Sequence, residues 1–202
     1  MEWAVRSRLS FIPNETGFTK DFLFMTDETG FIQIQSVNIH NKRKAGNNME
    51  QQLRLIMGCD LAAYDFKCEI LKAMERNGYS IKDAGCNSSK EGLYAPVAKQ
   101  VADAVARGEY DYGILLCGTG QGMAMAANKV KGIKAALCYD IFPAVMSKEH
   151  NNSNILCTGA WMMDVPKALR MIEAWLFAGY AGNHNDGLAL LEQYEEERYN
   201  GR

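Results

Sequence analysis

The stretch LLCGTGQGMAMAANK, residues Leu115–Lys129, joins an apolar run to a cysteine, three glycines and a helix-like segment. Its leucines end the run YDYGILLC, residues 110–117, which predicts a buried β-strand. The small and apolar residues over 122–130 predict a helix. Cys117 and the glycines therefore lie where a strand gives way to a helix, and that is where ligands bind in α/β sheets.

The segments around this stretch alternate between strand-like and helix-like patterns. Strands that alternate with helices indicate a parallel sheet covered on both faces. The predicted fold class is α/β: a doubly wound, Rossmann-like, five-stranded parallel sheet flanked by helices, with an N-terminal extension. The further predicted strands cover residues 53–59, 79–85, 132–138 and 153–159, and the further helices 62–78, 94–109, 141–150, 165–179 and 187–199.

The first 48 residues differ in pattern from the rest of the chain. We predict an N-terminal extension over 1–48 and a second domain over 49–202. Alternation and turn signals over 21–37 favour a hairpin, with partial disorder as the alternative. The polar, basic stretch NIHNKRKAGNN, residues 38–48, is typical of a linker.

Composition excludes several classes of partner. The chain has 202 residues, with 22 basic and 24 acidic side chains, so neither nucleic acid nor an anionic membrane is an expected partner. No apolar run approaches the roughly 20 residues that span a bilayer. The six cysteines contain no C-x-x-C pair and no zinc spacing, which favours reduced thiols, a cytoplasmic location and no bound metal.

Known glycine-rich loops fit the stretch poorly. A dinucleotide loop needs G-x-G-x-x-G/A, and counted from Gly118 its third glycine position holds Met123. Asp140 does follow at about 20 residues, the distance expected of an acidic residue that binds the ribose. The P-loop pattern is absent. A cysteine phosphatase needs an arginine soon after the thiol, and the next one after Cys117 is Arg170.

Proton transfer remains as an option for the loop. Backbone N–H groups over residues 118–122 would point out of the start of the helix and stabilise a developing oxyanion. The same field would favour the thiolate of Cys117. A thiolate beside such N–H groups is able to remove a proton next to a carbonyl, which is the chemistry of aldose–ketose isomerisation.

Three segments together carry a family resemblance: GCDLAAYDFK (58–67), LLCGTGQGMAMAANKVKGIKAALC (115–138) and KEHNNSNILCTGA (148–160). They resemble the ribose-5-phosphate isomerase B / galactose-6-phosphate isomerase family, and the likeness extends over about residues 53–185. The resemblance implies interconversion of a pentose or pentose phosphate aldose and ketose through a cis-enediolate, without a cofactor. It also implies a homodimer, with a tetramer as the alternative, whose subunits share their active sites.

The resemblance also implies roles for particular residues. Cys117 matches the family's proton-shuttling base, Thr119 the assisting hydroxyl, Asp60 a residue that binds sugar hydroxyls, and His150 the ring-opening histidine, which the partner subunit supplies together with Asn151. The residues expected to bind substrate are Tyr94, Gly118, Gly120, Gln121, Gly122, Asn151 and Leu61. For several of these, simpler roles remain open, such as a helix cap for Asp60 or for His150.

The departures from the family pattern concern phosphate binding. Leu61 replaces a histidine, and Trp161, Asn183 and Gly187 replace arginines, while His184 remains. Arginine binds phosphate through bidentate, charge-assisted bonds, so these changes predict altered phosphate recognition and a different or non-phosphorylated sugar.

Two alternatives to this hypothesis stay open. Lys148 or Lys167 would supply the missing positive charge if the ribose-5-phosphate role is retained. The chain would otherwise be a non-catalytic, sugar-binding relative.

Overall fold

The structure, a computed structural model, describes residues 18–26, 32–40, 53–90, 92–182 and 184–200, and only the backbone of the first two ranges. The chain divides into two compact units, Met1–Gln51 and Gln52–Arg202. The predicted boundary after residue 48 stays a prediction.

The described residues of the first unit, 18–26 and 32–40, form two strands. β1 (Phe18–Thr26) pairs antiparallel with β2 (Ile32–His40), in a register that places Phe18 opposite His40. The expectation that a linker begins at residue 38 was wrong for residues 38–40, because β2 continues through them as the partner of the first residues of β1. The turn signals over 27–30 and the rest of the linker lie outside the described residues.

The second unit is built on five parallel strands. These are β3 (Leu55–Cys59), β4 (Ile81–Asp83), β5 (Tyr112–Cys117), β6 (Ala135–Leu137) and β7 (Ile155–Gly159), in the order β4-β3-β5-β7-β6. The predicted fold class is therefore confirmed. The chain leaves β3 toward β4 on one side and returns to β5 on the other. The strand order consequently reverses between β3 and β5, and a crevice is expected at their carboxyl ends.

Six helices connect and cover the strands. They are α1 (Tyr64–Arg76), α2 (Tyr94–Ala106), α3 (Gln121–Ala127), α4 (Ile141–Glu149), α5 (Val165–Phe177) and α6 (Asn185–Asn200). Among the described residues, none of these helices has the length and apolarity to cross a membrane.

The helices begin or end one to three residues from the sequence-based boundaries, and two of these differences have a cause in the side chains. The helix predicted from residue 62 begins instead with a 3-10 turn over Leu61–Ala63, since the carboxylate of Asp60 accepts a hydrogen bond from the Ala62 N–H. The helix predicted over 122–130 ends at Ala127. There the Asn128 side chain both donates to and accepts from the backbone of Ala135, which starts β6.

Alternating strand residues build a separate core on each face of the sheet. Met57, Leu116 and Leu156 are fully buried with the inward residues of α1, α4 and α5. Leu115 and Cys157 face the other way, toward α2 and α3. Each such apolar side chain contributes roughly 1.5–3 kcal/mol when it is fully buried. Together they fix the positions of the strand ends that carry the polar residues.

Candidate active site

The buried thiol of Cys117 is held at the carboxyl end of β5, beside the point where the strand order reverses. Its Sγ accepts a hydrogen bond from the Gly120 N–H at 2.9 Å. The backbone φ of Gly120 is +81°, and a Cβ there would come within 2.7 Å of the Thr158 carbonyl carbon. Only glycine fits this turn, and the turn aims a backbone N–H at the sulfur.

The rest of the glycine loop turns its carbonyls toward protein donors. Trp161 N–H donates to the Gly118 carbonyl at 2.9 Å, and the Tyr139 hydroxyl donates to the Thr119 carbonyl at 2.7 Å. Within the part of the chain that the structure describes, the N–H groups of Gly118 and Thr119 donate to no protein acceptor. Paired carbonyls and free N–H groups beside a thiol form an arrangement able to stabilise an oxyanion.

Asp60 lies directly after β3, next to the loop. Its N–H donates to the Leu116 carbonyl of the neighbouring strand at 3.1 Å, and its Oδ1 accepts from the Ala62 N–H at 3.0 Å. Partial burial raises the pKa of Asp60, while the N–H groups of Ala62 and Ala63 act in the opposite direction. The capping role left open by the sequence is thus present, and the same contacts hold the carboxylate at the carboxyl edge near Cys117.

Apolar and aromatic side chains surround the loop. Tyr94, the first residue of α2, presents its ring to Gly122, where a Cβ would lie 3.0 Å from two ring carbons. The Trp161 ring lies over Gly118, where a Cβ would lie 2.8 Å from three ring carbons. Leu61 is half exposed at the same edge, with its N–H bonded to the Gly92 carbonyl.

From the sequence, Trp161 was interpreted as the replacement of an arginine that makes the pocket more apolar, and its contact with the glycine loop was not predicted. The structure makes it a wall of the site. The signal in the sequence was a large aromatic residue two positions after β7, at the edge where the loop glycines leave room for a ring.

His150 and Asn151 lie at the other edge of the sheet. The helix α4 starts after Asp140 at the carboxyl edge and runs back over its nine residues, about 13 Å at 1.5 Å per residue, so His150 ends it near the start of β7. The His150 ring packs on His184, with centroids 4.5 Å apart. Both line a cavity of about 720 Å³ with Asn151, Asn185, Asp186 and Gly187.

The structure therefore assembles only some of the predicted site residues. It brings Asp60, Leu61, Tyr94 and the loop over 117–122 together at the carboxyl edge, with Gln121 exposed as the first residue of α3. None of the described residues over 117–122 lines the His150 cavity. Asn183 lies outside the described residues.

The two lysines considered as substitutes for the arginines are both engaged. Lys148 is 2% exposed, its ammonium lies 3.3 Å from the Tyr112 ring centroid, and it donates to the Ser153 carbonyl. Lys167 forms an ion pair with Asp140 at 2.9 Å. Among the described residues, no group of three or more potential ligands is arranged to hold a metal ion.

The fold and the loop define the class of the protein: an α/β enzyme of the sugar isomerase type. Residues 55–189 match the Ribose/Galactose Isomerase family profile. The chain belongs to this family, and the predicted relationship to sugar-phosphate aldose–ketose isomerases is confirmed.

Named relatives agree with this assignment. The chain is 38% identical over 146 residues to ribose-5-phosphate isomerase B of Escherichia coli, covering 72% of this chain and 98% of that one. It is 37% identical over 131 residues to D-erythrulose-4-phosphate isomerase of Pectobacterium atrosepticum, covering 64% and 86%. A solved structure of Clostridium thermocellum ribose-5-phosphate isomerase B superposes with a TM-score of 0.70 and 36% identity, covering 72% and 99%.

Proposed function

We propose that this protein interconverts an aldose and a ketose, a pentose or pentose phosphate in the first instance, with Cys117 as the base. The observation that carries the proposal is the 2.9 Å hydrogen bond from the Gly120 N–H to the Cys117 Sγ. A backbone donor aimed at sulfur favours the thiolate, the form able to accept a proton from carbon.

The isomerisation balances without an outside reductant or oxidant. The thiolate of Cys117 removes the proton from C2 of the open-chain aldose, and the electron pair moves to the carbonyl oxygen at C1. The free N–H groups of Gly118 and Thr119 stabilise the resulting enediolate. The proton then returns from Cys117 to C1, while the proton of the C2 hydroxyl passes to the oxygen at C1 with the assistance of the Thr119 hydroxyl, so that C2 becomes the ketose carbonyl and C1 carries a hydroxyl. Asp60 binds the sugar hydroxyls.

A complete site needs two copies of the chain. Cys117 and His150 lie at opposite edges of one sheet, so the histidine that we assign to ring opening serves the thiol of a partner subunit. This explains why His150 and Asn151 line a cavity without contact to their own glycine loop. The homodimer is part of the proposal, and a tetramer built from such dimers keeps the same sites.

Phosphate recognition is altered in this proposal. Leu61 and Trp161 occupy the rim without charge, and Asp186 lies in the cavity with His184. Lys148 is buried against Tyr112 and, like Lys167, already has a partner. These contacts argue against retention of phosphate selectivity through substitute cations, and they favour a different or non-phosphorylated sugar.

The second candidate function is sugar binding without catalysis. The uncharged side chains of Leu61 and Trp161 at the rim fit a binding protein, but such a protein has no need for a thiol in contact with a backbone donor. A cytoplasmic location stays a prediction from the sequence.

Hydrogen exchange in D₂O tests the proposal. The protein is incubated with D-ribose, D-ribulose, D-erythrose and D-galactose and with the corresponding sugar phosphates, and deuterium at C1 and C2 is followed by NMR. Exchange on at least one sugar that disappears in Cys117→Ala supports the isomerase. Exchange that survives this substitution refutes the base, and saturable binding without any exchange supports the sugar-binding protein.

A further inference from the structure

The indole of Trp161 lies flat on the glycine loop. A Cβ built on Gly118 would be 2.8 Å from Cε3, Cζ3 and Cη2 of the ring alike, so one face of the ring covers Gly118. The backbone of Trp161 is fixed to the same residue, because its N–H donates to the Gly118 carbonyl at 2.9 Å. Side chain and main chain together therefore hold the ring one residue away from Cys117.

The second face of this ring is open. Trp161 is 73% exposed, whereas a tryptophan that served the core would be buried, as Trp175 is at 0%. Tyr94 repeats the arrangement on the other side of the loop, with its ring against Gly122 and 45% of the residue exposed. Two aromatic rings thus lie on either side of the glycine loop, against Gly118 and Gly122.

The surroundings of the rings are apolar. Three exposed apolar residues are neighbours in the chain of Asp60, Tyr94 and Trp161. They are Leu61, Leu93 and Met162, which are 42%, 72% and 45% exposed. The negative face of an aromatic ring repels a phosphate dianion and attracts polarised C–H groups. A dianion placed there would also lose hydration without gaining a cation.

We propose that Trp161 determines substrate specificity: its open face packs against the C–H face of an uncharged sugar whose carbonyl end reaches Cys117. This inference rests on the proposed function and adds a residue and a substrate class to it. In this proposal the ring itself favours binding of a free aldose or ketose over its phosphate, and the loss of the arginines acts in the same direction.

Tryptophan fluorescence tests the inference without relying on catalysis. In a Trp3→Phe background, Trp161 and Trp175 remain, and acrylamide quenches only an exposed indole. We expect strong quenching in the free protein, and a several-fold lower quenching constant when D-ribose, D-erythrose or D-galactose is added. The corresponding phosphates should protect less at equal concentration. Trp161→Phe in the same background should remove the sugar-dependent signal.

Two results of this titration would overturn the inference. Weak quenching in the free protein would mean that a partner subunit covers the ring. Strong quenching that no free sugar reduces would mean that the ring does not contact the ligand.

Kinetics with the free sugar provide a second measurement. Trp161→Ala should raise KM by about tenfold, more than it changes kcat, since the lost contact is one of binding. Trp161→Phe should recover most of the affinity, and Trp161→Arg should shift the preference toward the phosphorylated sugar by at least about tenfold. The matched control, Leu190→Ala, truncates an exposed apolar residue of α6 that does not line the His150 cavity. Equal effects of Trp161→Ala and Leu190→Ala would contradict the inference.

The two experiments separate this inference from the proposed function. If neither the wild-type protein nor any variant exchanges hydrogen, the isomerase proposal fails, and the fluorescence titration still decides whether Trp161 binds sugar.

Discussion

The two ends of strand β5 are built in opposite ways. At its amino end, Tyr112 packs edge-on against Trp175, and the Lys148 ammonium lies over the Tyr112 ring. Trp175 Nε1 donates to the Ser153 hydroxyl and the Lys148 ammonium donates to the Ser153 carbonyl, so both of these donors have partners within the protein. At the carboxyl end, the N–H groups of Gly118 and Thr119 have no acceptor among the residues that the structure describes. Donors that are paired within the protein stabilise the fold, whereas donors without a protein acceptor are available to a ligand or to water.

The amino end of β5 thus contributes to the stability of the fold, and the carboxyl end carries the groups to which we assign the chemistry. The amino end fixes the strand with a closed aromatic and polar cluster. The carboxyl end leaves the groups that handle negative charge available. His150 lies beyond the closed end, and this placement is the observation on which the proposed division of the site between two protomers rests.

The largest expected effect comes from the thiol at the open end. Cys117→Ala should lower kcat for hydrogen exchange by about 10³-fold, since a positioned base typically contributes 10²–10⁴-fold. Stopped incubations with NMR detection measure it. Cys68→Ala, which removes a half-buried thiol on α1, should keep the wild-type rate. If both variants lose activity equally, the effect is one of folding and not of the base.

The divided site predicts complementation between inactive variants. Cys117→Ala and His150→Ala should each be nearly inactive alone. After unfolding and refolding together, about a quarter of the wild-type activity should return, because random pairing gives half of the dimers one intact site each. Gel filtration checks that both variants dimerise. Dimeric mixtures without recovered activity would place Cys117 and His150 in the same protomer's site or remove His150 from it.

Gly120 in the glycine loop and Gly132 in a turn both have a positive φ, but only Gly120 is crowded by neighbouring atoms. Gly120→Ala adds a methyl group within 2.8 Å of the Thr158 backbone and Leu137, whereas nothing lies within 4 Å of the Cβ position at Gly132. We expect Gly120→Ala to lower the free energy of unfolding by about 2–4 kcal/mol and Gly132→Ala by about 1 kcal/mol. Urea titrations give both values. Similar losses would mean that strain at φ, and not the contact, dominates.

The smallest expected effect is on the pH dependence of the free energy of unfolding, and it concerns Lys148 at the amino end of β5. Burial lowers the pKa of Lys148 from its ordinary value of 10.5 to about 7. Between those two values the folded protein binds fewer protons than the unfolded chain, so the free energy of unfolding rises with pH by at most about 1.4 kcal/mol per pH unit. Below pH 7 both states carry the charge and the full cost of burying it remains.

Lys148→Met should remove this dependence. Its stability advantage over wild type should be greatest at pH 7 and shrink toward pH 9.5, as measured by urea titration at each pH. Lys99→Met, which replaces a 67% exposed lysine, should track the wild type at every pH. A constant difference between Lys148→Met and wild type across this range would show that the amine is charged throughout.

Much of the site could be predicted from the sequence, because its residues follow strand ends in the chain. Asp60 after β3 and Cys117 at the end of β5 were placed by the apolar runs that they close, and parallel strands bring their carboxyl ends to one edge. The 3-10 turn at Leu61 and the early end of α3 were not predicted, since each depends on a side chain that caps the backbone. The packing of the Trp161 ring against Gly118 was also not predicted, because these two residues are 43 positions apart in the chain.

The sequence by itself determined the parallel α/β class, the family and the order of the reactive residues, because hydrophobic periodicity and glycine spacing are local properties of the chain. Tertiary structure decided three further points: which N–H meets the sulfur, which lysines are already engaged, and on which edge His150 lies. Hydrogen-bond direction, burial and helix orientation arise only when distant segments pack together.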